Sequence, residues 1–244
     1  MVIVTEYVRR QVEPKIKLNT ETLKYAYQPI FDVRTGAIFG YEALMRPEGY
    51  TPMEIIEAYT EADCLEEIEE ATFYYGTKGF MEANLEGYLF INTFTDVCMT
   101  LEGARRVASL GGEQMRSRFV VEILEYAQTD PSVWRIKKRA MELSGADPLY
   151  AIDDFGTGVN IDHACIEMYR PNIVKIDRKF IRNIDTNYEH QLIVADMLKN
   201  LHREGITVLA EGVETKQEYD YLMQTDIDLM QGYYLGMPQI YNSL

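Results

Sequence analysis

The sequence predicts an α/β fold, namely a TIM-like (β/α)8 barrel with one antiparallel strand. Short apolar segments rich in β-branched residues alternate with longer segments of helical periodicity, which gives eight predicted strands with helices between nearly all of them. Strands that alternate with helices indicate a parallel sheet, and eight strands favour a closed barrel. The first connection, Arg34-Thr35-Gly36, is too short for a parallel crossover, so the first two strands are predicted to pair antiparallel.

The first half of the chain supplies four of the predicted strands. Residues 1–23 have mixed character and are interpreted as an N-terminal lead-in or linker, followed by one domain over residues 24–244. Apolar residues at helical spacing, such as Ile55, Ile56 and Tyr59, indicate a long helical region after Pro52. The predicted strands cover 25–31, 38–45, 88–92 and 119–124, and the predicted helices cover 52–84 (as one or two helices), 96–110 and 131–143.

The second half continues the alternation. The helix over 188–203 is the clearest, because Val194, Leu198 and Leu201 share one face and Gly205 stands where a C-terminal cap belongs. The predicted strands cover 149–152, 173–177, 207–211 and 229–234, and the predicted helices cover 161–168, 188–203 and 215–224.

The composition is typical of a globular protein in a reducing compartment. The chain has 244 residues, a length at which barrels are often one domain. Its three cysteines are far apart, which argues against a disulfide framework and for the cytoplasm. No apolar run of about 18 residues predicts a membrane span, and the N-terminus does not resemble a signal peptide.

The net charge of −15 disfavours polymeric nucleic acid as a partner. Binding the phosphates of long DNA or RNA needs clustered lysines and arginines, whereas this chain has 39 acidic residues against 24 lysines and arginines. A small phosphorylated substrate stays compatible with this charge if metal ions supply the positive charge.

The stretch 149–160 is the candidate centre of the functional site. A buried strand is predicted to end in two adjacent carboxylates, Asp153 and Asp154, followed by a loop that contains Gly156 and Gly158. Neighbouring residues of a regular strand point to opposite faces, but at a strand end loosened by glycine both can turn toward one point. Two close carboxylates repel unless they share a proton or a cation, so a divalent metal is expected. Taken alone, such a pair before Gly-Thr-Gly is more often a solvated turn.

Polar residues also interrupt or end other predicted strands, and this pattern favours a site. A buried charge is costly unless it is paired or bound to a metal, and the carboxyl ends of barrel strands converge on one mouth. Oxygen donors suit Mg²⁺ or Mn²⁺ better than Zn²⁺. Two ions about 3.5–4 Å apart would suit phosphoester hydrolysis, with Lys175 orienting or deprotonating the attacking water, its pKa lowered by nearby cations. The positions are Glu42, Asn92, Glu122, Asp153, Asp154, Lys175 and Glu211.

Together with their neighbours, these residues resemble the EAL domain family over roughly residues 24–240. The motifs that carry the resemblance, in the family's order, are Tyr27-Gln28-Pro29-Ile30, Glu42-Ala43-Leu44 with Arg46, Asp153-Asp154-Phe155-Gly156-Thr157-Gly158, Val174-Lys175-Ile176-Asp177-Arg178, Ala210-Glu211-Gly212-Val213-Glu214-Thr215 and Gln231-Gly232-Tyr233. The resemblance implies a cyclic di-GMP phosphodiesterase that forms linear pGpG by a two-metal mechanism and acts as a homodimer. It also implies a barrel with one antiparallel strand.

The resemblance implies a role for each site residue. One ion would be held by Glu42, Asn92, Glu122 and Asp153, and the other by Asp153, Asp154 and Glu211. Lys175 and Gln231 would contact the catalytic water, Arg46 would bind a substrate phosphate, and Gln28, Leu44 and Asp177 would line the substrate site. Glu125 would stabilise the loop after Asp154.

Two departures from the family pattern lie beside the expected site. Phe94 stands where members usually carry serine, and Val159-Asn160 replaces part of a usual Tyr-Ser-Ser-Leu run. Both bear on substrate affinity and loop closure more than on metal binding. Two other functions stay open: a non-hydrolytic cyclic di-GMP receptor that passes the signal to a partner, and an interaction scaffold with a disused pocket. Such receptors typically lose metal ligands, and this chain keeps the full set.

Overall fold

Eight strands close into a barrel in sequential order. The structure is a computed structural model and describes residues 13–110, 112–124, 131–143, 147–156 and 163–241. Strand β1 (Lys24–Asp32) pairs antiparallel with β2 (Ile38–Arg46) and with β8 (Leu229–Met230), and the other neighbouring strands are parallel. The predicted barrel with one antiparallel strand is therefore confirmed.

Helices follow most of the strands and cover the outside of the barrel. The remaining strands are β3 (Tyr88–Thr93), β4 (Phe119–Leu124), β5 (Leu149–Phe155), β6 (Ile173–Ile176) and β7 (Thr207–Ala210). The helices are α1 (Pro52–Glu61), α2 (Leu65–Glu82), α3 (Leu101–Ala108), α4 (Gly112–Arg116), α5 (Pro131–Leu143), α6 (His163–Tyr169), α7 (Arg178–Ile181), α8 (Tyr188–Arg203) and α9 (Lys216–Leu222), with a 3₁₀ turn at Thr20–Thr22.

Local sequence explains where several helices begin and end. Thr51 caps α1, and its side chain and that of Glu54 exchange hydrogen bonds with each other's backbone N–H. Asn187 caps α8 by accepting hydrogen bonds from two backbone N–H groups of the first turn. Gly205 follows α8 and has a left-handed φ of +75°. The helix predicted over 188–203 is therefore confirmed at both ends.

Two faces of each strand are buried, and they contribute to different parts of the core. Phe90 points into the barrel, whereas Leu89 and Ile91 pack outward against helices. The interior layer of the barrel is entirely apolar and consists of Ile30, Phe90, Val120, Ala151, Ile173, Leu209 and Leu229. This layer closes the barrel below the site and leaves the carboxyl ends of the strands to carry the polar side chains.

Some predicted bounds differ from the structure. The helix predicted over 96–110 is shorter, because Thr100 caps α3 and its hydroxyl accepts a hydrogen bond from Gly103 N. A further helix, α4, which was not predicted from the sequence, begins at Gly112. The strand predicted over 229–234 has only the two residues of β8, since the backbone turns at Gly232 against Val213. Sequence reasoning missed the short helix α7.

The lead-in assigned to residues 1–23 is described from residue 13 onward. In that part, Leu18 N donates a hydrogen bond to the Tyr59 hydroxyl at 3.1 Å, and Leu18 packs against the barrel's surrounding helices. The domain boundary at residue 24 stays a prediction. Among the described residues, the helices are too short or too polar to cross a membrane.

Candidate active site

The register of the barrel brings the predicted polar residues to one end. On six strands a polar residue stands two positions beyond an apolar residue of the interior layer, so both point inward. These pairs are Phe90 and Asn92, Val120 and Glu122, Ala151 and Asp153, Ile173 and Lys175, Leu209 and Glu211, and Leu229 and Gln231. Strand β1 runs the other way and supplies Gln28, which stands opposite Glu42 of β2.

Lys175 lies at the centre of this polar layer. Its Nζ is 2.5 Å from Glu122 Oε1, 2.8 Å from Asp153 Oδ1 and 2.7 Å from Glu211 Oε1. Glu42 Oε1 is farther away, at 3.9 Å. The Lys175 side chain is 1% exposed and that of Glu122 is fully buried, so these charges interact with little screening by water.

Burial and mutual charge shift the pKa values of this cluster. Burial, together with the charge of Glu42, raises the pKa of Glu122 well above its ordinary value, although Lys175 opposes the shift. Burial works to lower the pKa of Lys175, but the surrounding carboxylates outweigh it and hold that pKa well above the usual range. With these carboxylates around it Lys175 is therefore an ammonium, which suits it to orient water rather than to deprotonate it.

Asp153 and Asp154 both reach the site because the strand bulges between them. The register of β5 with β6 shifts between Ile152 and Phe155, so β5 has one residue more than β6 over this stretch, which is a β-bulge. Asp154 has a left-handed φ of +54°. We expected glycines at the strand end to let both carboxylates turn toward one point, and that cause is wrong. The strand continues to Phe155, and Asp154 itself has the left-handed backbone, which aspartate tolerates better than most residues.

The two aspartates and Glu211 form a candidate metal site. One oxygen from each of Asp153, Asp154 and Glu211 lies within 4.8 Å of the others. Burial is the main cause that raises the pKa of Asp154 to about 6, and the charge of Asp153 and a hydrogen bond to Asp177 add to it. Burial also raises the pKa of Glu211 well above its usual value. Glu211 lies 2.7 Å from the Lys175 ammonium, whose charge opposes this rise in its pKa.

The amide side chains of Gln231 and Asn92 form hydrogen bonds with Glu42. Gln231 Nε2 donates to Glu42 Oε2 at 2.7 Å and to Gln28 Oε1 at 3.2 Å. Asn92 Nδ2 donates to Glu42 Oε1 at 3.3 Å. Gln28 Nε2 in turn donates to the carbonyl of Gly236 at 3.0 Å, which connects the site to the segment after β8.

The donor set fits divalent ions that prefer oxygen ligands. Among the described residues, Glu122 Oε2 and Gln231 Oε1 are buried oxygens without a hydrogen-bond partner. Buried polar atoms normally have a partner, so unpaired oxygens beside a cluster of carboxylates are natural ligands for a cation. The chemistry of the donors therefore agrees with Mg²⁺ or Mn²⁺.

The other predicted site residues lie around this centre or outside the described residues. Leu44 and Arg46 are half-buried at the carboxyl end of β2, and Arg46 Nη1 donates to the carbonyl of Met45 at 3.0 Å. Asp177 caps α7 by accepting a hydrogen bond from Lys179 N at 2.8 Å. Glu125 and Val159-Asn160 lie outside the described residues, so their assigned roles stay predictions.

Phe94, the other departure, packs away from the polar layer. It lies against an apolar cluster of α1 and α2 that contains Ile55, Tyr59 and Ile68.

Sequence reasoning missed two lysines near the site. Lys179 donates to the carbonyl of Gly156 at 2.8 Å, beside the aspartate pair, and Lys137 is buried behind β3. Neither lysine lies in a sequence pattern that distinguishes it from a surface lysine.

Comparison with known proteins agrees with this fold. A family model described as the EAL domain matches residues 9–238, and the chain therefore belongs to the EAL domain family. The cyclic di-GMP-bound form of a standalone versatile EAL protein from Vibrio cholerae O395 is 28% identical, with a TM-score of 0.75 over 93% of this chain and 97% of that chain. A manganese and cyclic di-GMP complex of BlrP1 from Klebsiella pneumoniae is 24% identical, with a TM-score of 0.76 over 93% of this chain and 58% of that chain, and supports the fold alone.

A curated relative carries an enzyme name. The cyclic di-GMP phosphodiesterase NbdA of Pseudomonas aeruginosa is 24% identical over 98% of this chain, but only over 32% of its own length. This chain thus spans about a third of that relative.

Proposed function

We propose that this chain is a phosphodiesterase that hydrolyses cyclic di-GMP to linear pGpG with two bound Mg²⁺ or Mn²⁺ ions. The observation that carries the proposal is the meeting of the acidic strand-end residues at one mouth, with Asp153, Asp154 and Glu211 in chelating reach of one another. The family membership and the enzyme name of NbdA support the same substrate.

The chain offers ligands for two ions. Asp153 would be shared by two groups of ligands. The first group is Glu42, Asn92, Glu122 and Asp153, and the second is Asp153, Asp154 and Glu211. When bound, the ions would supply an activated water and stabilise charge on the phosphate oxygens.

The protein's own groups would then orient the reactants. The Lys175 ammonium, now drawn to four carboxylates, is a hydrogen-bond donor that can hold the attacking water in line with phosphorus. Gln231, held by Glu42, can hold the same water through its side-chain oxygen. Arg46 would bind a substrate phosphate, and Gln28, Leu44 and Asp177 would line the substrate site.

The reaction is a hydrolysis with a simple balance. The oxygen of water forms a bond to one phosphorus of the ring, and the bond from that phosphorus to a ribose 3′-oxygen breaks. The leaving oxygen takes up a proton, and the water loses one, so the ring opens to a linear dinucleotide with a 5′-phosphate.

The direct test is chromatography of cyclic di-GMP after incubation with the protein and Mn²⁺, in which pGpG is expected. Glu42→Gln removes a ligand charge and should lower turnover by at least about a hundredfold. The matched control is Glu48→Gln, because Glu48 is an exposed glutamate in the loop after β2 and should leave turnover unchanged.

Two outcomes would contradict the proposal. Tight binding of cyclic di-GMP without product in either metal would favour the non-hydrolytic receptor. Neither binding nor turnover would favour the interaction scaffold. The homodimer implied by the resemblance and the cytoplasmic location indicated by the cysteines stay predictions. Light scattering of the purified protein tests the dimer.

A further inference from the structure

A second buried ion pair lies outside the barrel, behind the strand that carries Asn92. Glu69 of α2 is fully buried, Lys137 of α5 is 3% exposed, and their side chains form an ion pair. Replacing such a pair by apolar residues of similar volume is often neutral or stabilising. Stability alone is therefore a weak explanation for two buried charges at this place.

Both side chains bind the backbone at the end of β3. Glu69 Oε2 accepts a hydrogen bond from Phe94 N at 3.1 Å, and Lys137 Nζ donates one to the Phe94 carbonyl at 2.7 Å. Thr93 joins them, because its hydroxyl donates to Glu69 Oε1 at 2.6 Å and accepts from Lys137 Nζ at 2.6 Å. The three donors of the ammonium are thus matched by Glu69, Thr93 and Phe94.

At this end, the described pairing of β3 is with β4 and no longer with β2. In the described part of the chain, the pairing of β3 with β2 ends at Ala43 and Ile91, whereas its pairing with β4 continues to Thr93. Asn92 therefore lies beyond the last β2 partner, at the point where its side chain turns inward to Glu42. Thr93 and the backbone of Phe94 are the next groups along the chain, and the ion pair binds both.

We propose that Glu69 and Lys137 are positioning residues that fix Asn92 for binding of a divalent ion. The inference rests on the proposed function, since it assigns Asn92 to a metal site. An amide oxygen is a neutral ligand, so its contribution depends on orientation more than that of a carboxylate does. The pair supplies that orientation through the backbone of residues 92–94, in the way that outer partners orient metal ligands elsewhere.

The test compares Mn²⁺ binding in the whole chain with and without the pair. The double variant Glu69→Leu/Lys137→Met replaces the ion pair by apolar side chains of similar size. Electron paramagnetic resonance of free Mn²⁺ is expected to report binding about tenfold weaker than in the wild type. The thermal unfolding midpoint without metal is expected to stay close to that of the wild type. The control Glu61→Gln/Lys15→Met removes an exposed ion pair and should leave Mn²⁺ binding unchanged.

A second comparison keeps the proposal testable if the double variant does not fold. Thr93→Val removes the hydroxyl without changing the shape of the side chain and should weaken Mn²⁺ binding, whereas Thr93→Ser keeps the hydroxyl and should restore it. A change that was merely structural would lower the unfolding midpoint without this rescue of Mn²⁺ binding.

The outcomes separate this inference from the proposed function. If the folded double variant binds Mn²⁺ as tightly as the wild type, the positioning role alone is overturned. Equal Mn²⁺ binding by Thr93→Val and the wild type does the same. Wild-type protein that binds no Mn²⁺ and forms no pGpG overturns both.

Discussion

The amine of Lys175 lies 2.5 Å from Oε1 of Glu122, and both side chains are closed to solvent. Three more carboxylates approach the same amine, so one internal cation holds together acidic residues from separate strands. The carboxylates that are expected to bind metal are therefore already assembled around a positive charge.

Removing this internal cation should destabilise the metal-free protein. Lys175→Met leaves Glu122 and its neighbours buried without a partner charge, which typically costs about 3–5 kcal/mol. Urea unfolding followed by circular dichroism, without metal, should show a lower midpoint. Lys216→Met, which removes an exposed lysine paired with Asp220, should change the midpoint little. Equal midpoints for Lys175→Met and the wild type would contradict a structural role for this cation.

Mn²⁺ binding should weaken as pH falls through about 6. The pKa of Asp154 is raised to about 6, mainly by burial and by the charge of Asp153. A carboxyl with a raised pKa is neutral below that value, so protons compete with the ion for Asp154 at lower pH. Calorimetric titrations at pH 7.5 and pH 5.5 measure the change. Asp154→Asn should bind more weakly at both values and show a smaller difference between them; an affinity in the wild type that is the same at both would refute the prediction.

Glu218 should stabilise the loop that follows Glu211. Its carboxylate accepts hydrogen bonds at 2.9 Å each from the backbone N–H groups of Asn183, Glu214 and Thr215. Burial works to raise the pKa of Glu218, but these hydrogen bonds outweigh it and hold that pKa below its usual value.

Glu218→Gln should therefore cost about 1–3 kcal/mol at pH 7. Because the folded-state pKa is depressed, the stabilisation is present above the unfolded value of 4.5 and is lost as pH falls through the lower folded value. Urea unfolding at pH 7 and at pH 3.5 should show that the difference between variant and wild type shrinks in acid. Glu189→Gln, in the first turn of α8, serves as the control, and a difference that is independent of pH would argue against the charge-dependent role.

Gly232 should be intolerant of any side chain. A Cβ at this position would meet the backbone N, C and O atoms of Val213, none of which can move as a flexible side chain would. Gly232→Ala should displace the neighbouring Gln231 from Glu42 and lower turnover of cyclic di-GMP. Gly76→Ala is the matched control, because its new Cβ would lie at an ordinary 3.6 Å from Ala43 Cβ and the helix should gain up to about 1 kcal/mol. If Gly232→Ala hydrolyses cyclic di-GMP at the wild-type rate, the close approach of residue 232 to Val213 is not required for turnover.

Periodicity predicted most of the fold. The alternation of strand and helix segments and the short turn at Arg34-Thr35-Gly36 indicated the barrel and its antiparallel strand, because these are local properties that need no tertiary contact. Polar residues that interrupt or end predicted strands, such as Asn92, indicated a site at the carboxyl ends of the strands. Bounds failed where a single cap or close approach decides them, as at Thr100 and Gly232.

The sequence by itself thus determined the order of strands and helices and the types of residue that lie at the carboxyl ends of the strands. The tertiary structure alone decided how they meet. The bulge that turns Asp154 inward depends on pairing with β6, and the central position of Lys175 depends on carboxylates from four other strands. The Glu69 and Lys137 pair joins two residues that are 68 positions apart in the chain. Contacts between distant segments depend on register and packing, and neither leaves a local pattern in the sequence.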